Sequence, residues 1–538
     1  VESQTPEVSV LGLRNGVRYS FEVFAVTGNG RSEGSEIVWA TPTTGVEGVV
    51  AGLIVEFTTD VEEGQALVPG EERLENATDL PAVDLTVGAK VSDDAVLVEL
   101  SEPVALAEAE QIAADLQADP AVAWAEPDQF LFTAADPAPD TATSSAAPVP
   151  SQEWNLSGTY GVDAVQLEDR ESAGQGVSVA VIDTGITSHP DLQSRVVSGY
   201  DFVSSPEQLM ASRQANAPPV PFDADSENPE TFGAIGRDAN PADPGDWSQT
   251  VPVRNSSWHG TKMAGLIHDV APGASIQPIR ALSWRGGLLS DIAASITWAS
   301  GGTVDGVPAN AHPSKVVNMS FAVEATCPVA LQDAITGARE RGSILIAAAG
   351  NANDDAAKYA PGNCNGVITV GSTTSSGVRA DYSNYGPVVD IAAPGGDTSA
   401  PVQAASNTGF TSPDQPTRAG DFGTSVSAAH VSAGAALLAA RNTTITPDDA
   451  FTALTGRDSV KAFANPTCDT NPDYSCGAGI LTLAQIATIS SGDQDYAMLF
   501  TRSAETAASA SNSSMLSTLS GDFTFEAWAK PTNCSSGE

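Results

Sequence analysis

Positive charge is what this sequence has least of: 24 Lys and Arg stand against 67 Asp and Glu among 538 residues, a formal charge of −43. That balance argues against a nucleic-acid partner or an anionic membrane surface, both of which need cationic patches. It suits a solvated secreted surface, or one adapted to a saline habitat where screening weakens self-repulsion. Cysteine is scarce too. None of the five forms a C-x2-C pair, so zinc and iron–sulfur centres are not expected. Cys327 is expected to pair with Cys364 and Cys468 with Cys476, in an oxidising compartment, which leaves Cys534 near the end. No apolar run reaches 18 residues, which argues against a membrane-spanning helix. No signal peptide is visible, but the chain opens on Val1 in mid-pattern and both ends read as cut.

What is present is an ordinary apolar content of 41% and enough length for about three domains. Residues 1–43 hold an Asn-Gly turn, a Tyr/Phe/Val-rich strand and a second strand, too little for a core of its own. Residues 47–131 read as an α+β unit: "VVAGLIVEF" and "DAVLVEL" as strands, "ALAEAEQIAADLQADP" as a helix with Leu106, Ala109, Ile112, Ala113 and Leu116 on one face, then a short strand. Residues 132–152 are an Ala/Pro/Thr/Ser linker, exposed to proteolysis. From 153 to 490, continuous apolar runs such as "GVSVAVIDTG" and "GSILIAAAGN" alternate with helical stretches. That pattern predicts an α/β fold, a mostly parallel sheet with helices on both faces. Ser290 is the expected N-cap of the helix in "LLSDIAASITWAS". The acidic, Pro- and Gly-rich stretch 219–249 reads as a surface loop, or as a loop that orders around calcium, although its spacing matches no known calcium loop. Residues 491–538 form a Ser-rich stretch and one strand carrying Phe523 and Phe525.

The apolar run Val179–Ile182 ends on Asp183, and a carboxylate at the end of a buried strand is unfavourable without a partner. Two other stretches supply one. In "SSWHGTKMAG" His259 opens a helix, and in "FGTSVSAAHVSAGAALLAA" Ser425 sits just inside another. Serine becomes a nucleophile when an imidazole takes its proton, and a carboxylate holds the imidazole tautomer. Asp183, His259 and Ser425 are therefore the candidate orienting acid, base and nucleophile. The adjacent glycines are expected to give the backbone room beside a substrate.

The order Asp, His, Ser, at separations of 76 and 166 residues, is that of subtilisin. Over roughly 155–487 the chain closely resembles the subtilisin-like serine peptidases, the subtilase family. The resemblance implies a secreted serine endopeptidase that acts through an acyl-enzyme and needs no cofactor for the chemistry. Asn351 in "AAAGN" matches the family's oxyanion asparagine, with the Ser425 N–H as second donor. Ser320, Phe321 and Ala322 match the strand that pairs with an extended peptide substrate, and Ala348, Ala349 and Gly350 the pocket for the residue before the cut. The 47–131 unit is similar to the family's inhibitory prodomain, which makes it the chain's own inhibitor and the linker the maturation site. Residues 1–43 resemble part of a fibronectin type III domain, and 491–538 the start of a laminin-G or concanavalin-like domain, so partial β-sandwiches would flank the whole.

The departures from the pattern are Lys262 for the family's second histidine, Ala429 for a proline before His430, and a shortened "AGLIHDVAPGAS". The last removes the family's calcium loop and with it a ligand role for Asp191, which is then expected to cap the turn after Pro190. No metal residue is assigned, and a structural calcium stays open but unplaced. The rival readings are a non-catalytic adhesive protein that uses the protease fold as a scaffold, and a membrane-surface or glycan-acting enzyme. Against the second, no paired carboxylates stand out.

Overall fold

The computed structural model describes residues 49–58, 64–67, 83–132, 153–164, 167, 170–203, 237–247, 255–283, 286–464 and 474–484. It also gives the backbone of four short strands before them, Tyr19–Phe21 with Val38–Ala40 and Val26–Thr27 with Gly30–Arg31, each pair antiparallel. The fibronectin-like reading otherwise falls outside the described residues. The laminin-G-like reading and Cys468 lie wholly outside them.

The first packed unit is a five-stranded antiparallel sheet. Its strands are β1 (Val49–Phe57), β2 (Ala66–Leu67), β3 (Leu85–Lys90), β4 (Ala95–Ala105) and β5 (Val122–Pro127), in the order β2-β3-β4-β1-β5. Helix α1 (Leu106–Gln117) lies between β4 and β5 in sequence and buries Ala109, Ile112, Ala113 and Leu116. These four lie at helical spacing and form the stripe that covers the sheet. They share a core with Leu53, Val55, Val96 and Val98.

The second unit is a nine-stranded sheet. Strands β7 (Ser178–Asp183), β8 (Tyr200–Asp201), β9 (Ser275–Arg280), β11 (Val316–Met319), β12 (Ile344–Ala348), β13 (Val367–Thr373) and β14 (Ile391–Pro394) run parallel. They are closed at one edge by β17 (Val460–Lys461) and β18 (Ile480–Leu481), in the order β8-β9-β7-β11-β12-β13-β14-β18-β17. Two short pieces complete the numbering, β6 (Phe130–Phe132) and β10 (Gly286–Leu288), with the hairpin β15 (Val402–Asn407) and β16 (Pro416–Asp421).

Why the strands read as unbroken apolar runs is clear from β7. Successive side chains point to opposite faces. Val179 and Val181 enter one core, shared with α2 (His259–Val270) and α5 (Thr424–Arg441). Ala180 and Ile182 enter the other, shared with α3 (Leu289–Ala299) and α4 (Val329–Glu340). Both faces are covered, so apolar residues fall at both parities. Asp183 continues the parity of Val179 and Val181, which turns its carboxylate to the side of α2 and α5.

The two units meet at three places. Ile54, Val91 and Ala95 of the first unit join the core shared by α3 and α4. The β3–β4 turn sets Asp93 against Arg341 and Ser92 against Asp333. The end of the first unit runs along the second. Phe130–Phe132 pairs antiparallel with Gly286–Leu288, with Phe132 opposite Gly286. Just before it, two carboxylates reach helix N-termini, whose first N–H groups have no intrahelical partner. Glu126 accepts from the Val329 and Ala330 N–H groups at the start of α4. Asp128 accepts from the Ser290 N–H at 2.9 Å and its hydroxyl at 2.7 Å. Ser290 is thus not the N-cap expected from the sequence. That position is Leu288, and the capping oxygen comes from another unit 162 residues away, which no local pattern carries. Cys327 and Cys364 form a disulfide, and Cys476 is also disulfide-bonded.

Candidate active site

Parallel strands bring their C-terminal ends, and the starts of the helices that follow, to one edge of the sheet. Asp183 is the last residue of β7, His259 the first of α2, and Ser425 the second of α5. The structure places all three there. His259 Nδ1 lies 2.8 Å and 2.9 Å from the two carboxylate oxygens of the fully buried Asp183. Nδ1 facing a carboxylate carries the proton, which leaves Nε2 as the basic nitrogen. The Thr184 N–H adds a second donor to Asp183 at 2.8 Å. His259 and Ser425 line one cleft together with Asn351, Ser320, Phe321, Ala322, Ala348 and Gly350.

Ala349 is the exception among the expected substrate contacts. It is absent from the cleft wall, fully buried, and packs with Ala356 and Val389. Alternation past the end of β12 accounts for this, since Ala348 and Gly350 share a face that Ala349 does not. Gly350 is required where it stands: at φ 103° a Cβ would meet Asn384 Nδ2 at 2.4 Å. Beside His259, Gly260 answers a different need from the one expected. A Cβ there would lie 2.1 Å from the Gly185 carbonyl, so the glycine admits the turn after β7, not a substrate.

The amide of Asn351 is oriented by Thr424, whose N–H and hydroxyl both donate to Oδ1, at 2.9 Å and 2.8 Å. With the oxygen fixed, the NH2 end turns away from Thr424. Ser425 follows in the first turn of α5, where backbone N–H groups have no carbonyl within the helix. Trp258, just ahead of His259, sits in the left-handed region at φ 54° and is buried, with its indole N–H on the Gly409 carbonyl at 2.9 Å. Such a conformation costs a non-glycine residue roughly 1–3 kcal/mol and persists where packing over-determines it.

Several participants were not legible in the sequence. The stretch taken for a surface loop contributes Asp243, which is buried and accepts from the Thr184 hydroxyl at 2.7 Å and the Gly245 N–H at 2.9 Å. Thr184 Oγ1 in turn accepts from Gly260 N–H at 3.1 Å, tying the start of α2 to the end of β7. Burial, aided by the charge of Asp246, pushes the Asp243 carboxyl well above the usual range. Lys262 pairs with Asp421 at 2.9 Å. Burial alone would raise the Asp421 carboxyl, but Lys262 and His259 outweigh it and hold it below the usual range. Asp191 does not cap the turn after Pro190. Its carboxylate lies 3.2 Å from Arg418, whose guanidinium also grips Asp269. Among the described residues no group of three or more His, Cys, Asp or Glu is placed to hold a metal.

An Asp–His pair at the head of a parallel sheet, with a serine at the start of the long buried helix beside it, defines the subtilisin-like α/β class. The chain belongs to the subtilase family, whose profile matches residues 174–479, more than half of its length. It is 37% identical over 402 residues to an extracellular protease of Xanthomonas campestris pv. campestris, covering 72% of this chain and 62% of that one. An extracellular basic protease of Dichelobacter nodosus is 36% identical over 366 residues, covering 64% and 55%. The chain thus spans about three fifths of the length of these relatives. Among solved structures, a protease of Pseudoalteromonas arctica matches with a TM-score of 0.53 at 35% identity, covering 63% of this chain and 98% of that one. Fervidolysin from Fervidobacterium pennivorans, at 19% identity and a TM-score of 0.54, shares the fold over 82% of this chain and 61% of its own.

Proposed function

We propose that the protein is an extracellular serine endopeptidase that forms an acyl-enzyme on Ser425 and is made as a zymogen. The observation that carries the reading is the Asp183–His259 pair at the head of a cleft that Ser425 and Asn351 also line. In this reading Ser425 Oγ attacks the peptide carbonyl and His259 Nε2 takes its proton. Asp183 holds the imidazole and offsets the imidazolium charge. The oxyanion receives the Ser425 N–H and the Asn351 amide. His259 then protonates the leaving amine, and water repeats the sequence on the ester. Every proton has a side chain to accept it, so the chemistry asks for no cofactor. An extended protein segment would bind by strand addition along Ser320–Ala322, with Ala348 and Gly350 beside the residue before the cut. Secretion is supported by the extracellular relatives and by the disulfides.

Residues 47–131 act in this reading as the chain's own inhibitor. The support is their docking on α3 and α4, and the path of Phe130–Phe132 along β10, which ends opposite Gly286 on the cleft wall. The linker 132–152 then carries the maturation cut, expected close behind Phe132. The test is direct. A fluorophosphonate should label the wild-type chain and not Ser425→Ala. The wild type should show a new N-terminus within 132–152, while S425A stays in one piece. Equal labelling of S425A, or an active protein with no new terminus in that window, contradicts the corresponding half of the proposal. The non-catalytic scaffold reading predicts no labelling of either form.

A further inference from the structure

One side chain on the cleft wall has no part in the chemistry above. Asp246 lines the cleft with His259. Both of its carboxylate oxygens are held by Ser257, one by the backbone N–H and the other by the hydroxyl at 2.7 Å. The Ser257 hydroxyl also accepts from the His259 N–H at 3.2 Å. The carboxylate is therefore fixed two hydrogen bonds from the His259 backbone, and each oxygen retains acceptor capacity. Among the described residues of the cleft wall, Asp246 and His259 are the only ionisable side chains, and no Lys or Arg stands there to neutralise the carboxylate.

The sheet order decides which substrate residue meets it. β7 and β12 flank β11 on opposite sides, so the wall built on Asp183 and His259 stands across the cleft from Ala348 and Gly350. An extended peptide directs successive side chains to opposite faces. If the residue before the cut fills the Ala348–Gly350 pocket, the one before it points to the His259 wall. We propose that Asp246 is a specificity residue that favours a lysine or arginine two positions before the cleaved bond. A cationic side chain there supplies the donors that the free lone pairs accept, in a half-enclosed cleft where water screens the pair less than at an open surface. An acidic side chain at the same place meets like charge.

The proposal rests on the peptidase reading, and the experiment separates the two. The full chain, expressed and allowed to mature, is assayed on three peptides that differ only at that position: lysine, its uncharged isostere norleucine, and glutamate. The expected order of kcat/KM is lysine, norleucine, glutamate, with lysine about fivefold above norleucine at low salt. The ratio should shrink in 1 M salt as screening shortens to about 3 Å. Asp246→Asn keeps an acceptor for the Ser257 N–H and should bring the ratio to about one. A ratio is independent of how much of the variant folds, and the wild-type ordering and its salt dependence stand without any variant. Hydrolysis of all three peptides at equal efficiency, or an unchanged ratio in D246N, overturns the selectivity alone. Hydrolysis of none of them removes the peptidase reading and this proposal with it.

Discussion

His430 lies on α5 five residues beyond Ser425, fully buried, with Nδ1 2.8 Å from the Val426 carbonyl and Nε2 3.0 Å from the Asn155 amide nitrogen. The carbonyl requires a proton on Nδ1, and the amide NH2 requires a lone pair on Nε2, so the neutral ring satisfies both and the charged ring does not. Burial pushes its pKa down to about 4, against a small opposing pull from the Val426 carbonyl. An unfolded chain takes up that proton near 6.5. Unfolding therefore gains a proton between about 4 and 6.5, and stability falls as pH falls through that window, by up to about 3 kcal/mol. Thermal melts of S425A, which cannot digest itself, should show this slope, and His430→Leu in that background should flatten it. An unchanged slope would place the acid sensitivity elsewhere. In the proposed mechanism, Asn351→Leu removes the amide donor while leaving comparable bulk. In subtilisin, losing the corresponding donor lowers kcat by about 10²- to 10³-fold, and the same fall with little change in KM is expected here. A loss confined to KM would assign Asn351 to ground-state binding.

At the scale of elements, the docking of the α+β unit combines apolar packing of Ile54, Val91 and Ala95 with two carboxylates placed at helix starts. Burial is the main force on both. It raises Glu126, and it lifts Asp128 to about 7, with the Ser290 hydrogen bonds opposing. Undocked, Asp128 is an ordinary carboxylate near 3.9. Docking therefore takes up a proton between about 4 and 7, strengthens as pH falls through that window, and weakens as pH rises toward 7. Titrating S425A made without its own α+β unit, as residues 153–538, with an isolated 47–132 fragment should give tighter binding at pH 5 than at pH 8, and Asp128→Asn in the fragment should reduce the difference. Tighter binding at the higher pH would show that Asp128 stays ionised in the complex. The Cys327–Cys364 bridge joins the segment just before α4 to the one just before β13, across 37 residues. Closing a loop of that length stabilises by about 3–4 kcal/mol in the chain-entropy account. The double serine variant should melt several degrees lower. Full alkylation of both cysteines without reduction, in protein from an oxidising host, would mean that the bridge does not form.

Over the whole molecule, the excess of acids over bases is set by composition, but its consequences depend on where the few cations go. Arg237, Lys262, Arg280, Arg339, Arg341, Arg418 and Lys461 all sit in ion pairs with aspartates. The formal charge of −43 is therefore carried by carboxylates that outnumber their counter-charges. Mutual repulsion among them falls as the screening length drops from about 10 Å at 0.1 M salt to about 3 Å at 1 M. The melting temperature of S425A should rise over that range. A flat or falling curve would mean that the acids are spread widely enough not to interact.

Much of this was legible in the chain itself, for reasons that differ by feature. Continuous apolar strands exposed the parallel sheet because both faces are covered, as Val179 to Ile182 show. The Asp183, His259 and Ser425 motifs were readable because each stands at a strand end or helix start, a position that local pattern marks. Asn351 and the cleft residues came through family resemblance, and one of them, Ala349, was misplaced because a motif gives neighbours without telling which face each side chain takes. The remainder rested on contacts between distant parts of the chain. Asp128 capping α3, Asp243 behind Thr184, Asp246 on the cleft wall and Arg418 on Asp191 each join segments tens to hundreds of residues apart. An aspartate in a Pro- and Gly-rich stretch has the same local signature whether it ends in solvent or in the core. Sequence determines periodicity and the residues that make elements start and stop. Only the packed fold decides which carboxylate meets which partner, because burial and proximity are properties of the whole chain at once.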